Sequence, residues 1–194
     1  MRKTPVVTPA IVNKNEEPPT ISVSGSFRLR PIRIEDAPAL FAYLCDPRVL
    51  EHTSFPLFDM AGVRRIIERQ IAGYADATSR RWALANDADA LIGTCGFSNW
   101  SLDHGHAELV YDLSPAYWGR GLMLLSAHAV VDWAFSDAGF NRVHAFVMTT
   151  NEPSIKLLER CGFSREGTLR QYRIARGAPR DFHLCALLRQ DGTA

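Results

Sequence analysis

One stretch of the chain decides its fold: Tyr117-Trp118-Gly119-Arg120-Gly121-Leu122. It follows a strand-like run from His106 to Leu113 and precedes a helical run from Leu122 to Phe135, so its glycines fall where a helix begins. A helix N-terminus presents unpaired backbone N–H groups and the positive end of the helix dipole. Glycines at that point let the backbone close around a phosphate without a Cβ in the way. The stretch therefore predicts a turn that can hold a pyrophosphate, although an ordinary tight connection also uses Gly-x-Gly.

Alternating and periodic apolar residues on both sides of this stretch predict further strands and helices. The helix after it leads into a second strand, Arg142 to Thr149, and then into a short amphipathic helix that ends at Cys161-Gly162-Phe163. The remaining predicted elements are strands at residues 27–34, 81–85, 90–97, 163–172 and 180–188 and helices at residues 35–44 and 59–75. This interleaved order predicts a mixed α/β sheet with helices on both faces.

Four segments of the sequence resemble the GCN5-related N-acetyltransferase (GNAT) superfamily, in its RimJ/RimL-like ribosomal-protein N-terminal acetyltransferase branch. They occur in the family's order and at its spacing. The resemblance implies the GNAT fold, a mixed, mostly antiparallel seven-stranded sheet with helices on both faces and a splayed central strand pair. It also implies an enzyme that takes acetyl groups from acetyl-CoA. The four segments are Ala107-Glu108-Leu109-Val110-Tyr111, the central turn from Tyr117 to Leu122, Asn151-Glu152-Pro153-Ser154, and residues 157–163.

The strand from His106 to Leu113 carries its ionisable side chains, those of His106, Glu108 and Asp112, on one side. A half-exposed strand with one water-facing side also produces this alternation. The resemblance implies instead that Glu108 is the general base that takes the proton of the acceptor amine, directly or through water. Asp112 is the fallback base, and His106 is a weaker one. The family also implies that a backbone N–H of this strand stabilises the charge on the thioester oxygen.

The thiolate that leaves during acetyl transfer needs a hydrogen-bond donor or a proton. Many members of the family use a tyrosine in the helix after the second strand, and Leu158 occupies that position here. The resemblance points to Ser154, whose hydroxyl can donate a hydrogen bond to sulfur. Ser154 can also be an early-helix residue that satisfies local backbone groups. Asn151 suits the cap position of the same helix, and in the family this residue also contacts the cofactor.

The coenzyme A site of the family corresponds to the central turn and its flanking elements. Trp118 stands where the broader superfamily has glutamine or arginine, as is common in the RimJ/RimL branch, whereas Met123 replaces a small residue. The longer side chain of Met123 either packs against a neighbouring helix face or loosens the phosphate contact. The residues implied to bind coenzyme A are Tyr111, Leu113, Trp118, Gly119, Arg120, Gly121, Leu122, Met123, Asn151 and Ser154.

The composition is that of an ordinary soluble globular protein with one domain. Of the 194 residues 46% are hydrophobic and 22% charged, and the formal net charge of +1 gives no reason to expect a nucleic-acid partner. No apolar run reaches membrane length and no signal-peptide pattern is present, so a cytoplasmic protein without a membrane partner is expected. The four cysteines have no zinc or redox spacing, and the Asp103-His104-Gly105-His106 loop lacks a third ligand, so no metal is expected.

The first 24 residues are rich in proline and poor in bulky apolar side chains. We therefore expect a flexible N-terminal tail at residues 1–24 and a single acetyltransferase domain at residues 25–194. A protein N-terminal amine is the favoured acceptor. The alternatives are a small-molecule amine, such as an antibiotic, a polyamine or an amino-acid derivative, and, in a different class, a protein that binds acyl-CoA without turnover. The sequence is compatible with a monomer or a homodimer.

Overall fold

Five antiparallel strands follow one another across the first part of the sheet in the computed structural model, which describes residues 17–54, 59–76 and 78–191. They are β1 (Ile21–Ser24), β2 (Phe27–Pro31), β3 (Arg80–Ala85), β4 (Leu91–Ser101) and β5 (His106–Leu113). The sheet continues through β6 (Arg142–Met148), β7 (Ser164–Ala175) and β8 (Ala178–Leu188) in the spatial order β6-β8-β7. The predicted mixed, mostly antiparallel α/β sheet is confirmed.

The described part of the chain forms eight strands where the sequence predicted seven. The additional strand is β1, whose residues were expected to belong to the flexible tail. That expectation is wrong for Ile21–Ser24, because Ile21 and Val23 alternate with serines and pack against the main core. The Trp82 indole also donates a 2.8 Å hydrogen bond to the carbonyl of Pro19. The rest of the expected tail up to residue 16 lies outside the described residues.

The parallel pairing of β5 with β6 is confined to three residue pairs: His106 with Arg142, Ala107 with Val143, and Glu108 with His144. Beyond Glu108 the two strands have no paired residues, although β5 runs on to Leu113 and β6 to Met148. The splayed central strand pair is therefore confirmed. The strands separate directly after Glu108, which places its carboxylate at the apex of the split.

Helices cover both faces of the sheet. They are α1 (Ala37–Leu44), α2 (Pro47–Leu50), α3 (Met60–Asp76), α4 (Leu122–Ser136) and α5 (Glu152–Arg160). Two hydrophobic clusters lie on opposite faces of β3, because Trp82 and Leu84 belong to one and Ala83 to the other. The first cluster contains residues of α4 and α5, and the second contains residues of α1 and α3. No helix among the described residues is long and apolar enough to span a membrane.

Candidate active site

A cavity of about 610 Å³ opens where β5 and β6 separate. It is bordered by both strands, by the glycine turn, by the first turn of α4 and by the start of α5. The structure thus brings most of the sequence-predicted site residues to one cavity. Arg120 and His106 do not line it, and the guanidinium of Arg120 lies over the ring of Tyr117 at 5.0 Å. The predicted residues that line the cavity are Glu108, Tyr111, Asp112, Leu113, Trp118, Gly119, Gly121, Leu122, Met123, Asn151 and Ser154.

The glycine turn leaves the N-terminus of α4 open. Gly119 and Gly121 have φ angles of +74° and +72°, in the left-handed region that favours glycine. Gly121 is the N-cap of α4 and provides no capping side chain, and a Cβ added at either glycine would meet no atom within 4 Å. The Trp118 indole donates a 2.9 Å hydrogen bond to the Leu113 carbonyl and so ties the turn to the end of β5. A bare backbone at the positive end of a 15-residue helix fits a pyrophosphate.

The long side chain of Met123 is accommodated by the core. It is only 5% exposed and belongs to the same hydrophobic cluster as Leu122 and Ala127 of α4. Inward packing of a flexible thioether explains how this residue replaces a small one at the start of the helix.

The Glu108 carboxylate is buried and held by two donors. Its residue exposure is 5%, so the water-facing strand that the alternation also allowed is wrong at this position. Asn99 Nδ2 donates to Glu108 Oε2 at 2.8 Å, and Arg173 Nη2 donates to Glu108 Oε1 at 3.3 Å. A carboxylate oriented in this way at the end of a cavity can accept a proton from a molecule bound there.

Asp112, the predicted fallback base, is held by three other side chains. Its carboxylate accepts hydrogen bonds from Tyr43, from Arg81 and, at 2.8 Å, from the hydroxyl of Thr94. Burial raises the pKa of the Tyr43 hydroxyl well above its ordinary value, and the Asp112 charge adds to the effect. These contacts hold the Asp112 carboxylate at the wall of the cavity and tie β5 to α1, β3 and β4. His106, the weaker candidate, has a buried Nδ1 without a hydrogen-bond partner among the described residues, and its ring lies 5.5 Å from that of His144.

Tyr111 and Ser154 join their hydroxyl groups in a short hydrogen bond across the cavity. The Asn151 side chain accepts a 3.1 Å hydrogen bond from the backbone N–H of Ser154, which confirms Asn151 as the cap of α5. The Ser154 hydroxyl itself bonds Tyr111 and not the local backbone. Burial raises the pKa of Tyr111 well above its ordinary value, against a smaller lowering effect of the Ser154 hydrogen bond. The phenol thus stays protonated and can orient the serine hydroxyl.

Leu158 of α5 contributes an apolar side chain to the wall of the cavity. Leu158 is 1% exposed, and it places hydrocarbon where many relatives have a tyrosine. Burial raises the pKa of the Cys161 thiol to about 11, so it stays uncharged. All four cysteines are free, and three of them are buried. Within the described ranges, no group of three or more His, Cys, Asp or Glu residues is arranged to hold a metal ion.

Two residues that contact Glu108 were missed by sequence reasoning. Asn99 has a φ angle of +46° and lies where the register of β4 against β5 shifts, between Ser98 and Ser101. Arg173 is 65 residues away from Glu108 in the chain and reaches it from β7. A single asparagine near the end of a strand and an arginine in a strand that holds two other arginines carry no local signal of a site.

Comparison with known proteins reveals close relatives in sequence. The family described as "Acetyltransferase (GNAT) domain" matches residues 26–164. The chain is 33% identical over 165 residues to the uncharacterized N-acetyltransferase p20 of Bacillus licheniformis, with 84% of this chain and 93% of that protein covered. It is 33% identical over 108 residues to the ribosomal protein uS5-alanine N-acetyltransferase of Escherichia coli strain K12, with 55% and 56% covered.

A solved structure shares the fold over nearly the whole chain. The ribosomal-protein-S5-alanine acetyltransferase from Vibrio fischeri aligns with a TM-score of 0.80 and 21% sequence identity. The alignment covers 91% of this chain and 100% of that one.

Proposed function

The chain belongs to the GNAT acetyltransferase family, and from this premise we propose that it transfers the acetyl group of acetyl-CoA to the α-amine of a protein or peptide. Family membership makes it an N-acetyltransferase that uses acetyl-CoA. The proposal adds the class of acceptor and the residues that act. The observation that carries it is a buried carboxylate, Glu108, at the apex of the split, in the same cavity as a bare glycine turn.

The glycine turn is proposed to hold the donor. Backbone N–H groups of Gly119, Gly121, Leu122 and Met123 would surround the pyrophosphate at the positive end of α4. Tyr111, Leu113, Trp118, Asn151 and Ser154 line the same cavity and would contact the rest of coenzyme A. Arg120 points its guanidinium at Tyr117, so its proposed part is limited to its backbone. When bound, acetyl-CoA supplies an acetyl group activated as a thioester.

Glu108 is proposed to take the proton of the acceptor amine. An ammonium has no free electron pair, so the acceptor must lose a proton before it attacks. Asn99 and Arg173 fix the carboxylate orientation, and burial keeps bulk water from competing for its oxygens. Past Glu108, the backbone of β5 is released from pairing with β6. Its N–H groups on that side can therefore donate to the acetyl oxygen as negative charge develops there.

Ser154 is proposed to serve the leaving sulfur, with Tyr111 as a positioning residue. If the Tyr111 hydroxyl donates to Ser154 Oγ, the serine proton is free to point into the cavity. Burial raises the pKa of Tyr111, so the phenol has a proton to donate across the neutral pH range. The Ser154 hydroxyl can then donate to the thiolate as it forms.

The α-amine acceptor is supported by the similarity to the E. coli uS5-alanine N-acetyltransferase, which matches 55% of this chain. The name of p20 specifies no acceptor. Binding of acyl-CoA without turnover is disfavoured, because the proposed base is intact, buried and oriented.

A thiol-release assay tests the proposal directly. We expect the protein to release coenzyme A from acetyl-CoA faster with peptides that begin with a free α-amine than with spermidine, aminoglycosides or the same peptides acetylated at the N-terminus. Mass spectrometry of the product peptide locates the added acetyl group. A higher kcat/KM for a small polyamine than for every peptide would assign the enzyme to small-molecule amines, and no release with any acceptor would favour the binding module.

A further inference from the structure

Arg173 reaches the cavity because β7 bulges. Leu169 of β7 lies opposite Phe182 of β8, and Arg173 lies opposite Arg180, so three residues of β7 stand against Asp181 alone. Gln171, in the middle of this segment, has a φ angle of +52°, and its N–H donates a 2.8 Å hydrogen bond to Asp181 Oδ1. A side-chain contact thus holds the bulge, and bulges commonly redirect a side chain next to a site.

The guanidinium of Arg173 is confined on several sides. Its central carbon lies 5.2 Å from the ring centres of Phe146 and Tyr172 and 5.4 Å from that of Phe182. These distances are within the range of cation–π attraction. The side chain is 35% exposed, and among the described residues its hydrogen-bond partner is Glu108. A guanidinium has five N–H groups, so several of them remain available to a molecule in the cavity.

Resting on the proposed function, we propose that Arg173 selects acceptors whose reacting amine has a carbonyl group on the adjacent carbon. Arg173 donates a hydrogen bond to the carbonyl oxygen while Glu108 takes the amine proton. In an α-amino carbonyl compound the nitrogen and the oxygen are about 3 Å apart. Arg173 Nη2 and Glu108 Oε1 are 3.3 Å apart, so the two groups are spaced to contact both atoms at once. Peptide N-termini and amino-acid amides share this chemistry.

The charge of Arg173 favours the same acceptors. An α-amine has a pKa of about 8, whereas an alkylamine has a pKa of about 10.4. A neighbouring guanidinium disfavours the ammonium form of either amine, and an α-amine needs less help to become neutral. A polyamine in the cavity brings further positive charges next to Arg173. Like charges repel, so the guanidinium of Arg173 disfavours a polyamine relative to an acceptor with one amine.

The central comparison of the test is between alaninamide and 2-aminopropane, in which a methyl group replaces the carboxamide. For the wild type and for Arg173→Met, kcat/KM is measured with an alanine-initiated peptide, with alaninamide, with 2-aminopropane and with spermidine. Methionine keeps an apolar chain against the three rings and removes the charge. We expect kcat/KM of the variant to fall about tenfold or more for the peptide and alaninamide, the scale of a lost charged hydrogen bond, and much less for 2-aminopropane. Spermidine should become a relatively better acceptor.

For each acceptor, kcat/KM of the wild type is divided by kcat/KM of the variant, and these quotients are compared between acceptors. The intrinsic basicity of an amine is the same with both proteins and therefore cancels. Equal losses for all four acceptors, or no loss, would overturn the proposal. Loss for the peptide without loss for alaninamide would overturn it too, since both carry the same first carbonyl. Arg165→Met, an exposed arginine on the same strand, is the matched control and should leave all four values unchanged.

A second variant covers the case in which Arg173→Met does not fold. Arg173→Lys keeps the positive charge and the apolar stem but removes the planar fork. We expect it to retain the discrimination against spermidine and to lose part of the preference for alaninamide over 2-aminopropane; an unchanged preference would overturn the carbonyl contact. Failure of the proposed function has a different signature, since the wild type itself would then prefer spermidine or 2-aminopropane to the peptide.

Discussion

At the scale of single residues, the site separates two carboxylates that the sequence places on the same side of one strand. Glu108 has two donors and faces the cavity, whereas Asp112 has three donors that tie β5 to α1, β3 and β4. Because Tyr43, Arg81 and Thr94 hold the Asp112 carboxylate between three elements, we expect Asp112 to stabilise the fold and Glu108 to act as the base. Equivalent substitutions at the two positions should therefore have different effects.

Glu108→Gln should lower turnover about a hundredfold or more, the scale of a lost general base, and leave the fold and the affinity for acetyl-CoA unchanged. Glutamine preserves the shape and can still accept from Asn99, but it cannot hold the amine proton. The measurement is the pH profile of kcat/KM, whose acidic limb should flatten in the variant. Asp112→Asn is the control, and it should lower the melting temperature because Arg81 loses its buried counter-charge. Wild-type turnover with an unchanged acidic limb in Glu108→Gln would show that another group is the base.

Ser154→Ala should slow turnover about tenfold while the dissociation constant of acetyl-CoA stays nearly constant, because the hydroxyl is proposed to act on the sulfur as it leaves. Tyr111→Phe should have a smaller effect in the same direction, since it removes the orienting partner and keeps the buried ring. Steady-state kinetics and calorimetric titration of each variant make the comparison. An equal loss of binding and turnover in Ser154→Ala would assign the hydroxyl to ground-state binding.

At the scale of the elements, two short segments contribute to the site and to the sheet: the turn before α4 and strand β1. The turn is open because its two glycines take left-handed conformations and no side chain caps the helix. Strand β1 adds an edge to the sheet through Ile21 and Val23, which pack against the core. Both segments can be changed without touching the proposed base.

Gly121→Asp should abolish acetyl-CoA binding, because it brings negative charge to the site of the pyrophosphate. Gly121→Asn is the matched control, since asparagine has nearly the same size and also tolerates a left-handed conformation. We expect the asparagine variant to bind with moderately reduced affinity and the aspartate variant not to bind in calorimetry. Similar affinity in both variants would mean that the turn does not face the phosphates.

Truncation to a chain that begins at Gly25 should destabilise the protein relative to a chain that begins at Glu17. The shorter chain lacks β1 and the Pro19 carbonyl that accepts from the Trp82 indole. Two half-buried aliphatic side chains and these hydrogen bonds together contribute about 2 kcal/mol to the free energy of unfolding. For a domain of this size that is a fall in melting temperature of about 4–8 °C. Identical melting of the two chains would mean that β1 contributes no stability.

At the scale of the whole molecule, stability should depend on pH through His144. Burial lowers the pKa of His144 below its ordinary value of 6.5, and nearby His106 and Arg142 act in the same direction against the carboxylates of Glu108 and Glu166. The unfolded chain therefore takes up a proton at a higher pH than the folded chain, so stability is retained above about pH 6.5 and is lost as the pH falls below it.

His144→Gln should flatten this dependence. Urea unfolding of the wild type and the variant between pH 7.5 and 5 measures it, and the lowered pKa values of Asp89 and Glu166 act only at more acidic pH. The same slope in both proteins would show that His144 protonates equally well in the folded and unfolded chains.

The sequence predicts the middle of this protein better than its margins. Strand β5 was predicted to the residue, because its alternation is regular, and the start of α4 followed from the glycines. The contacts of Asn99 and Arg173 could not be predicted, since each depends on a register shift that breaks the two-residue repeat of a strand. Strand β1 was missed because it has only four alternating residues and follows two prolines. So short a pattern does not distinguish an edge strand from a flexible tail.

The separation of β5 and β6 also creates two strand edges inside the protein. At the rim of a sheet, unpaired N–H and C=O groups are a template on which other chains can add, and natural proteins guard against such aggregation. Here the edges face each other across a cavity bordered by α4 and α5, where a second sheet cannot approach. The protein can therefore keep unpaired backbone N–H and C=O groups available to a narrow ligand. The same groups on its surface would carry a risk of polymerisation.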